Sequence, residues 1–274
     1  MEFSGLSQQL MGTTLFGAWR YKQFIMSSIK NEFRARFARS KAGGLWMVIH
    51  PLFQVLIFAL ILSEVLSAKL PDIENKHAYA LYLMAGMLGW MSFSEIVTRC
   101  LTLFIVNGNL MKKMAFPRIC LPLIAAGYVF INNALLFAAI LVVFMALGHI
   151  PGVMALWLPL LIVLMMLLGL GIGLVLGIIN VFIRDIGQVV PIILQALFWL
   201  TPIVYSVRAL PETYRDWFIL NPLYPLVTSF QNVLVFNQPP EWGGLFILVL
   251  AVAVMLPFAM FMLRRASTEM ADSL

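Results

Sequence analysis

The chain has 274 residues, of which 62% are hydrophobic and 11% charged. A water-soluble domain is nearer half apolar and a quarter charged, so too few polar side chains remain to cover a soluble surface, and that class is excluded. The formal net charge of +6 does not point to nucleic acid, because seven of the eighteen basic residues (Arg20, Lys22, Lys30, Arg34, Arg36, Arg39 and Lys41) precede the first apolar run, where they read as a segment facing anionic phospholipid.

In chain order, the first forty residues are polar and lack the basic region, apolar core and cleavage site of a secretory signal, so the first span is expected to be retained as its own insertion signal. At about 100° per residue, Trp19, Met26, Ile29, Phe33 and Phe37 fall within about 80° of arc, with Arg20, Ser27, Asn31 and Arg34 to one side and Arg39 opposite. Lys22 interrupts the stripe, though its alkyl stem can lie along it. Residues 16–39 therefore predict an amphipathic helix on the inner leaflet, either an anchor or a docking surface for a cytoplasmic partner.

Runs of about twenty apolar residues predict six membrane spans, at 45–67, 79–104, 119–147, 156–183, 187–206 and 243–263. Outer-membrane barrels need short alternating strands, whereas Leu156–Ile183 carries neither alternation nor charge. An even number of spans puts both termini on one side. The positive-inside rule makes that side cytoplasmic: the N-terminal segment, Lys112, Lys113, Arg118, Arg184, Arg264 and Arg265 outnumber Lys69, Lys76, Arg208 and Arg215. The fold expected is an all-α polytopic membrane protein, with an N-terminal segment over 1–43, a six-helix domain over 44–265 and a cytoplasmic tail over 266–274. Cys100 and Cys120 fall near cytoplasmic span ends, where thiols stay reduced, and no disulfide is expected.

In the second span Glu95 and Arg99 stand four apart, acid first, so they can pair on one helix face. Ionisable residues at this depth are functional candidates, although Arg99 also lies close enough to the cytoplasmic end to snorkel. Next, Asn107-Gly108 breaks the span and Phe116-Pro117 stops a helix. Between them Leu110, Met111, Lys112, Lys113 and Met114 predict a short, basic, apolar-tipped helix, suited to a plain connection or to a groove on a soluble protein. Asn132, Asn133 and Gln195 suit hydrogen bonds between helices rather than ligand contacts.

The fourth span would extend about 40 Å at about 1.5 Å per residue, longer than the hydrocarbon core, so tilt is expected. Its Gly169, Gly171, Gly173 and Gly177 would let another helix come close. Arg184-Asp185 at its end reads as a neutralising pair that fixes the turn. Ser206–Trp242 is too apolar for a solvated loop and too broken by proline for one span, and predicts one or two re-entrant or interfacial helices on the far side. Tyr214, Trp217 and Tyr224 fit there as headgroup anchors or as a lid over an exit path. No P-loop pattern occurs, and His50, His77 and His149 show no metal spacing, so no metal site is expected. Nor is there a chain of membrane carboxylates for proton coupling, so free energy for uphill movement would come from elsewhere.

Five stretches in order carry a resemblance: Arg34–Arg39 followed by Leu45-Trp46; Asn107–Leu110 with Phe116-Pro117-Arg118 and Leu121-Pro122; Asn180–Ile186; Thr201–Ser206; and Asn221-Pro222-Leu223. Together, on this topology, they resemble the membrane subunit of type-2 ABC exporters, most closely the permeases of lipid-linked O-antigen, capsule or teichoic-acid polysaccharides, over about Trp19 to Arg265. The resemblance implies a homodimer working with two copies of a separate ATPase that binds ATP and Mg, while this chain binds no cofactor and is no enzyme. It also implies that Trp19, Arg34, Arg36 and Arg39 belong to an interface helix. Leu110, Met111, Lys112, Lys113, Met114, Phe116, Pro117 and Arg118 would form an ATPase-coupling loop over 105–118. Tyr214, Trp217, Asn221, Pro222 and Tyr224 would belong to a periplasmic gate over 206–242.

The implied cargo is a polysaccharide on polyprenyl diphosphate, crossing the bacterial inner membrane among its lipids with no nucleic-acid partner. Arg34, Arg36 and Arg39 suit either that diphosphate or anionic lipid. Aromatic side chains match the apolar C–H faces of sugar rings, so Trp46, Phe53, Phe198, Trp199 and Tyr205 are channel candidates, with lipid-facing or core positions the alternative. The competing readings are a type-2 ABC permease for a drug or small lipid, and an intramembrane enzyme acting on polyprenyl-linked sugars. The enzyme should show convergent acids or histidines at one membrane face.

Overall fold

In this computed structural model, residues 20–37, 45–60, 78–113, 116–205, 207, 218 and 221–273 are described, and among them there is no strand. The helices are α1 (Lys22–Phe37), α2 (Leu45–Leu60), α3 (Ala78–Val106), α4 (Gly108–Lys113), α5 (Cys120–Ala146), α6 (Leu158–Phe182), α7 (Ile186–Leu200), α8 (Tyr224–Gln231) and α9 (Trp242–Ser273). A 3₁₀ turn at Val153–Trp157 leads into α6, and a π turn at Asn232–Phe236 follows α8.

The four helical stretches Ala78–Val106, Cys120–Ala146, Val153–Phe182 and Trp242–Ala266 are long and apolar enough to cross a membrane, and the protein is integral to one. The first and fifth expected spans correspond to shorter apolar helices, α2 with 16 residues and α7 with 15; 61–67 of the first lies outside the described residues. α7 stops at Leu200, short of the expected 206, because Thr201 precedes Pro202 and is extended, with φ −101° and ψ 134°. α9 instead runs on past 263 to Ser273, since Arg264–Ser273 contains neither glycine nor proline to stop it.

α3 is the hub: it packs most heavily on α6 and also against α5, α8, α2 and α7. Close approach to α6 depends on glycine. A Cβ at Gly173 would fall 2.7 Å from the Cβ of Cys100, and one at Gly177 would run into the Cys100 carbonyl. Gly171 faces α9 instead, where a Cβ would find 3.4 Å to Met255 Cβ. Asn180 then donates to the Leu101 carbonyl at 2.9 Å, closing the same crossing. Cys100 and Cys120 are both buried and free.

The break after α7 exposes carbonyls that a helix would have satisfied, and side chains from elsewhere reach them. Tyr79 Oη donates to Val204 O at 2.6 Å. Tyr82 Oη lies 3.3 Å from Pro202 O and 3.2 Å from Tyr205 O, and Gln231 Nε2 donates to Pro202 O at 3.1 Å. α8 and the π turn are buried against α3, with Leu226, Val227, Phe230 and Val233 wholly inside. One large apolar core runs along α3, α6 and α8. A second, built on Cys100, Phe104, Leu121, Tyr128, Ile178 and Leu263, sits at the end of the molecule that carries α1 and α4.

Candidate functional site

At that end α1 lies across α5. Ile29, buried, fills a notch opposite Gly127, where a Cβ would stand 2.5 Å from Ile29 Cδ1. One turn on, the Phe33 ring stacks on Tyr128, with centroids 4.3 Å apart and planes at 20°. The Arg99 guanidinium carbon lies 3.6 Å from the centroid of the same tyrosine. Both groups cannot occupy one face at these distances, so Tyr128 is held between α1 and α3.

Arg99 Nη1 donates to Glu32 of α1, and Arg99 Nε lies 3.7 Å from Glu95 Oε1 on its own helix. Glu95 Oε2 accepts from Asn132 Nδ2 at 2.6 Å and more weakly from Asn133 Nδ2 at 3.4 Å. Ser92 Oγ donates to Asn133 Oδ1 at 2.7 Å. The result is a polar chain from α1 through α3 into α5. With side chains 25% (Arg99) and 39% (Glu32) exposed, it stands at the edge of the packed interior.

Of the apolar stripe that the periodicity of α1 predicts, Ile29 and Phe33 turn inward and Met26 does not. Met26 is 65% exposed, while Ile29 and Phe33 turn inward together with Phe24, whose ring meets Phe116 at 5.5 Å. Glu32 was not singled out from sequence; the available signal was an acid three residues after Ile29 on the inward arc. Arg34 is exposed; Trp19 and Arg39 lie outside the described residues, as does the side chain of Arg36.

In the coupling loop the expected apolar tip turns inward. Leu110, Met111 and Phe116 pack against the second core, while Lys112 and Lys113 are exposed and Pro117 is buried. Met114 lies outside the described residues. Arg118 is partly buried with no partner for Nη1 among the described residues, and desolvation pulls the pKa of its guanidinium below the ordinary value. Among the described residues Arg184 and Asp185 form no ion pair; both are exposed, and backbone bonds from Gly187 N to Arg184 O at 3.1 Å and from Gln188 N to Asp185 O at 3.0 Å close that turn.

A groove of about 430 Å³ opens between α3 and α7, walled by Met87, Trp90, Met91, Ser94 and Thr98 from one and Pro191, Leu194, Gln195, Phe198 and Trp199 from the other. Each set repeats at three and four residues, which places it along one helix face. Trp90 meets Phe198 edge-on at 5.6 Å, and Phe198 meets Trp199 at 5.3 Å. Of the five aromatic candidates, the groove thus takes Phe198 and Trp199. Tyr205 does not line it, and donates to Trp199 O at 2.7 Å. Trp46 and Phe53 are exposed on α2 and do not line it. The i, i+4, i+8 series Trp90, Ser94, Thr98 was the overlooked signal. In the gate segment, Asn221 Nδ2 donates to Leu200 O at 3.2 Å and to Thr201 Oγ1 at 2.9 Å. Pro222 is exposed, Tyr224 opens α8, and Tyr214 and Trp217 lie outside the described residues.

Apolar helices long enough to span a membrane, a helix packed across one end and a mixed aromatic and polar groove between α3 and α7 suit the membrane part of a transporter. Residues 23–235 match the family of ABC-2 type transporters, and the chain belongs to that family. It is similar to an O-antigen export system permease protein RfbA of Myxococcus xanthus, at 26% identity over 93% of this chain and 97% of the relative. A Klebsiella pneumoniae protein of the same name is 27% identical over 74% of this chain and 77% of its own. The polysialic acid transport protein KpsM of Escherichia coli is 25% identical over 72% and 75%. As a type-2 ABC permease the chain is a transport component, not an enzyme.

Proposed function

We propose that the chain is the membrane half of an ATP-driven exporter of a polyprenyl-diphosphate-linked polysaccharide, O-antigen-like in kind, in the bacterial inner membrane. Two copies pair, α2 and α7 complete six spans in each, and both termini are cytoplasmic. Two copies of a separate ATPase seat beneath α1 and α4, and ATP with Mg binds there. The observation that carries the choice of cargo is the groove. Indole and phenyl faces suit the C–H faces of sugar rings, while Ser94, Thr98 and Gln195 offer hydroxyl and amide partners to sugar hydroxyls. Its volume of about 430 Å³ falls within the range of small-ligand sites, enough for a short stretch of polymer. The relatives named for O-antigen and polysialic acid transport support the same class.

Lys112 and Lys113, exposed at the end of α4, are the residues offered to the ATPase. The double variant Lys112→Glu/Lys113→Glu is expected to lower ATPase co-purification and ATP-dependent export by about tenfold or more, with membrane insertion intact. Full co-purification and unchanged polymer export in proteoliposomes would remove the assignment of this face.

A further inference from the structure

α3 has two neighbouring faces with different duties. Ser94 and Thr98 wall the groove, and Glu95 and Arg99 follow each by one residue, about 100° around the helix, toward α1 and α5. α1 is fixed here at Ile29 on Gly127, at Phe33 on Tyr128 and at Glu32 on Arg99. The first two contacts are apolar and carry no directional bond. The guanidinium contact is directional, being shared by Glu32 and Glu95 and covered by the Tyr128 ring, with Glu95 itself anchored by Asn132.

We propose that Arg99 is a positioning residue that makes α1, the adjoining part of α3 and α5 one lever, so that displacement of α1 moves the groove wall at Ser94 and Thr98. The proposal rests on the reading that an ATPase acts on this face. The lever is a statement about coupling, so it calls for a coupling measurement rather than a contact map. Loss of Arg99 also leaves Glu32 and Glu95 without their shared cation, whereas Glu32→Gln breaks only the link to α1. The two variants therefore belong side by side.

The test uses the chain reconstituted in proteoliposomes with its ATPase. A cysteine at Thr98 (Thr98→Cys) reports groove exposure through its rate of labelling by a water-soluble maleimide, with and without ATP; Thr98 is exposed, while Cys100 and Cys120 are buried and label slowly. ATP is expected to change that rate severalfold. Glu32→Gln or Arg99→Gln should abolish the change while ATP hydrolysis continues, and the double variant should lose no more than either single one. An Ile29→Cys/Gly127→Cys pair, placed where the Ile29 side chain now fills the notch at Gly127, is oxidised to staple α1 to α5, with formation of the disulfide checked by mobility shift. The staple should preserve the ATP response in the otherwise unaltered chain and restore it in Glu32→Gln. An undiminished response in both single variants, additive losses, or a staple that blocks or fails to restore the response would each overturn the lever. No ATP response at Thr98 with the network intact would instead strike the transport reading, so the two failures remain distinct.

Discussion

At the scale of single residues, Tyr79 and Tyr82 do unequal work at the same backbone break. Tyr79 makes one short bond, 2.6 Å to Val204 O, and is 6% exposed. Tyr82 makes two longer ones, at 3.3 and 3.2 Å, and one of its acceptors, Pro202 O, keeps Gln231 as a donor. Removing the Tyr79 hydroxyl strands a buried carbonyl, which costs about 1–3 kcal/mol. Tyr79→Phe should therefore lower stability by about that amount, measured as the shift in equilibrium unfolding by SDS in mixed micelles, and Tyr82→Phe by less. A larger loss at Tyr82 would mean that the break is held differently. Neither tyrosine was legible as a partner of the Thr201–Tyr205 break, because the two lie more than a hundred residues apart in the chain and hydropathy carries no information about which hydroxyl meets which carbonyl.

At the scale of elements, the glycines of α6 separate into two faces with opposite expected responses. An added methyl at Gly177 meets the Cys100 carbonyl, part of a backbone that cannot rotate away, whereas at Gly171 it meets Met255 at ordinary contact distance. Alanine also favours helix over glycine by about 1 kcal/mol at either site. Gly171→Ala should accordingly be neutral or stabilising, while Gly177→Ala should destabilise by about 1–3 kcal/mol through overpacking. The same unfolding measurement decides, and equal effects at both sites would deny the close crossing. Close helix approach was readable from the glycine spacing; which helix each face meets was not. The outline of α3, α5 and α6 followed from apolar runs, yet α7 stopped early at Thr201-Pro202, where backbone geometry overrides apolar content. In α1 the predicted stripe docks through Ile29 and Phe33, while Met26 on the same stripe stays exposed. Met26 is as apolar as the pattern requires, but Gly127 and Tyr128 on α5 choose the face that docks, and they favour Ile29 and Phe33.

At the scale of the whole molecule, the groove and the charged chain lie on adjacent faces of one helix, and this separation bears on what the groove would take as the proposed cargo site. All charge on this part of α3 is committed to the face toward α1 and α5, through Glu95 and Arg99. The groove wall is left with indole, phenyl, thioether, hydroxyl and amide groups. A uronate or sialate entering it would shed water without gaining a cation, and an uncompensated buried charge is far more costly than a buried hydroxyl with a partner. Neutral oligosaccharides should therefore quench or shift the fluorescence of Trp90 and Trp199 at concentrations at least tenfold below those needed for acidic oligomers of equal length, with Trp199→Phe diminishing the signal. Equal response to both would detach this chain's groove from the chemistry of its lining.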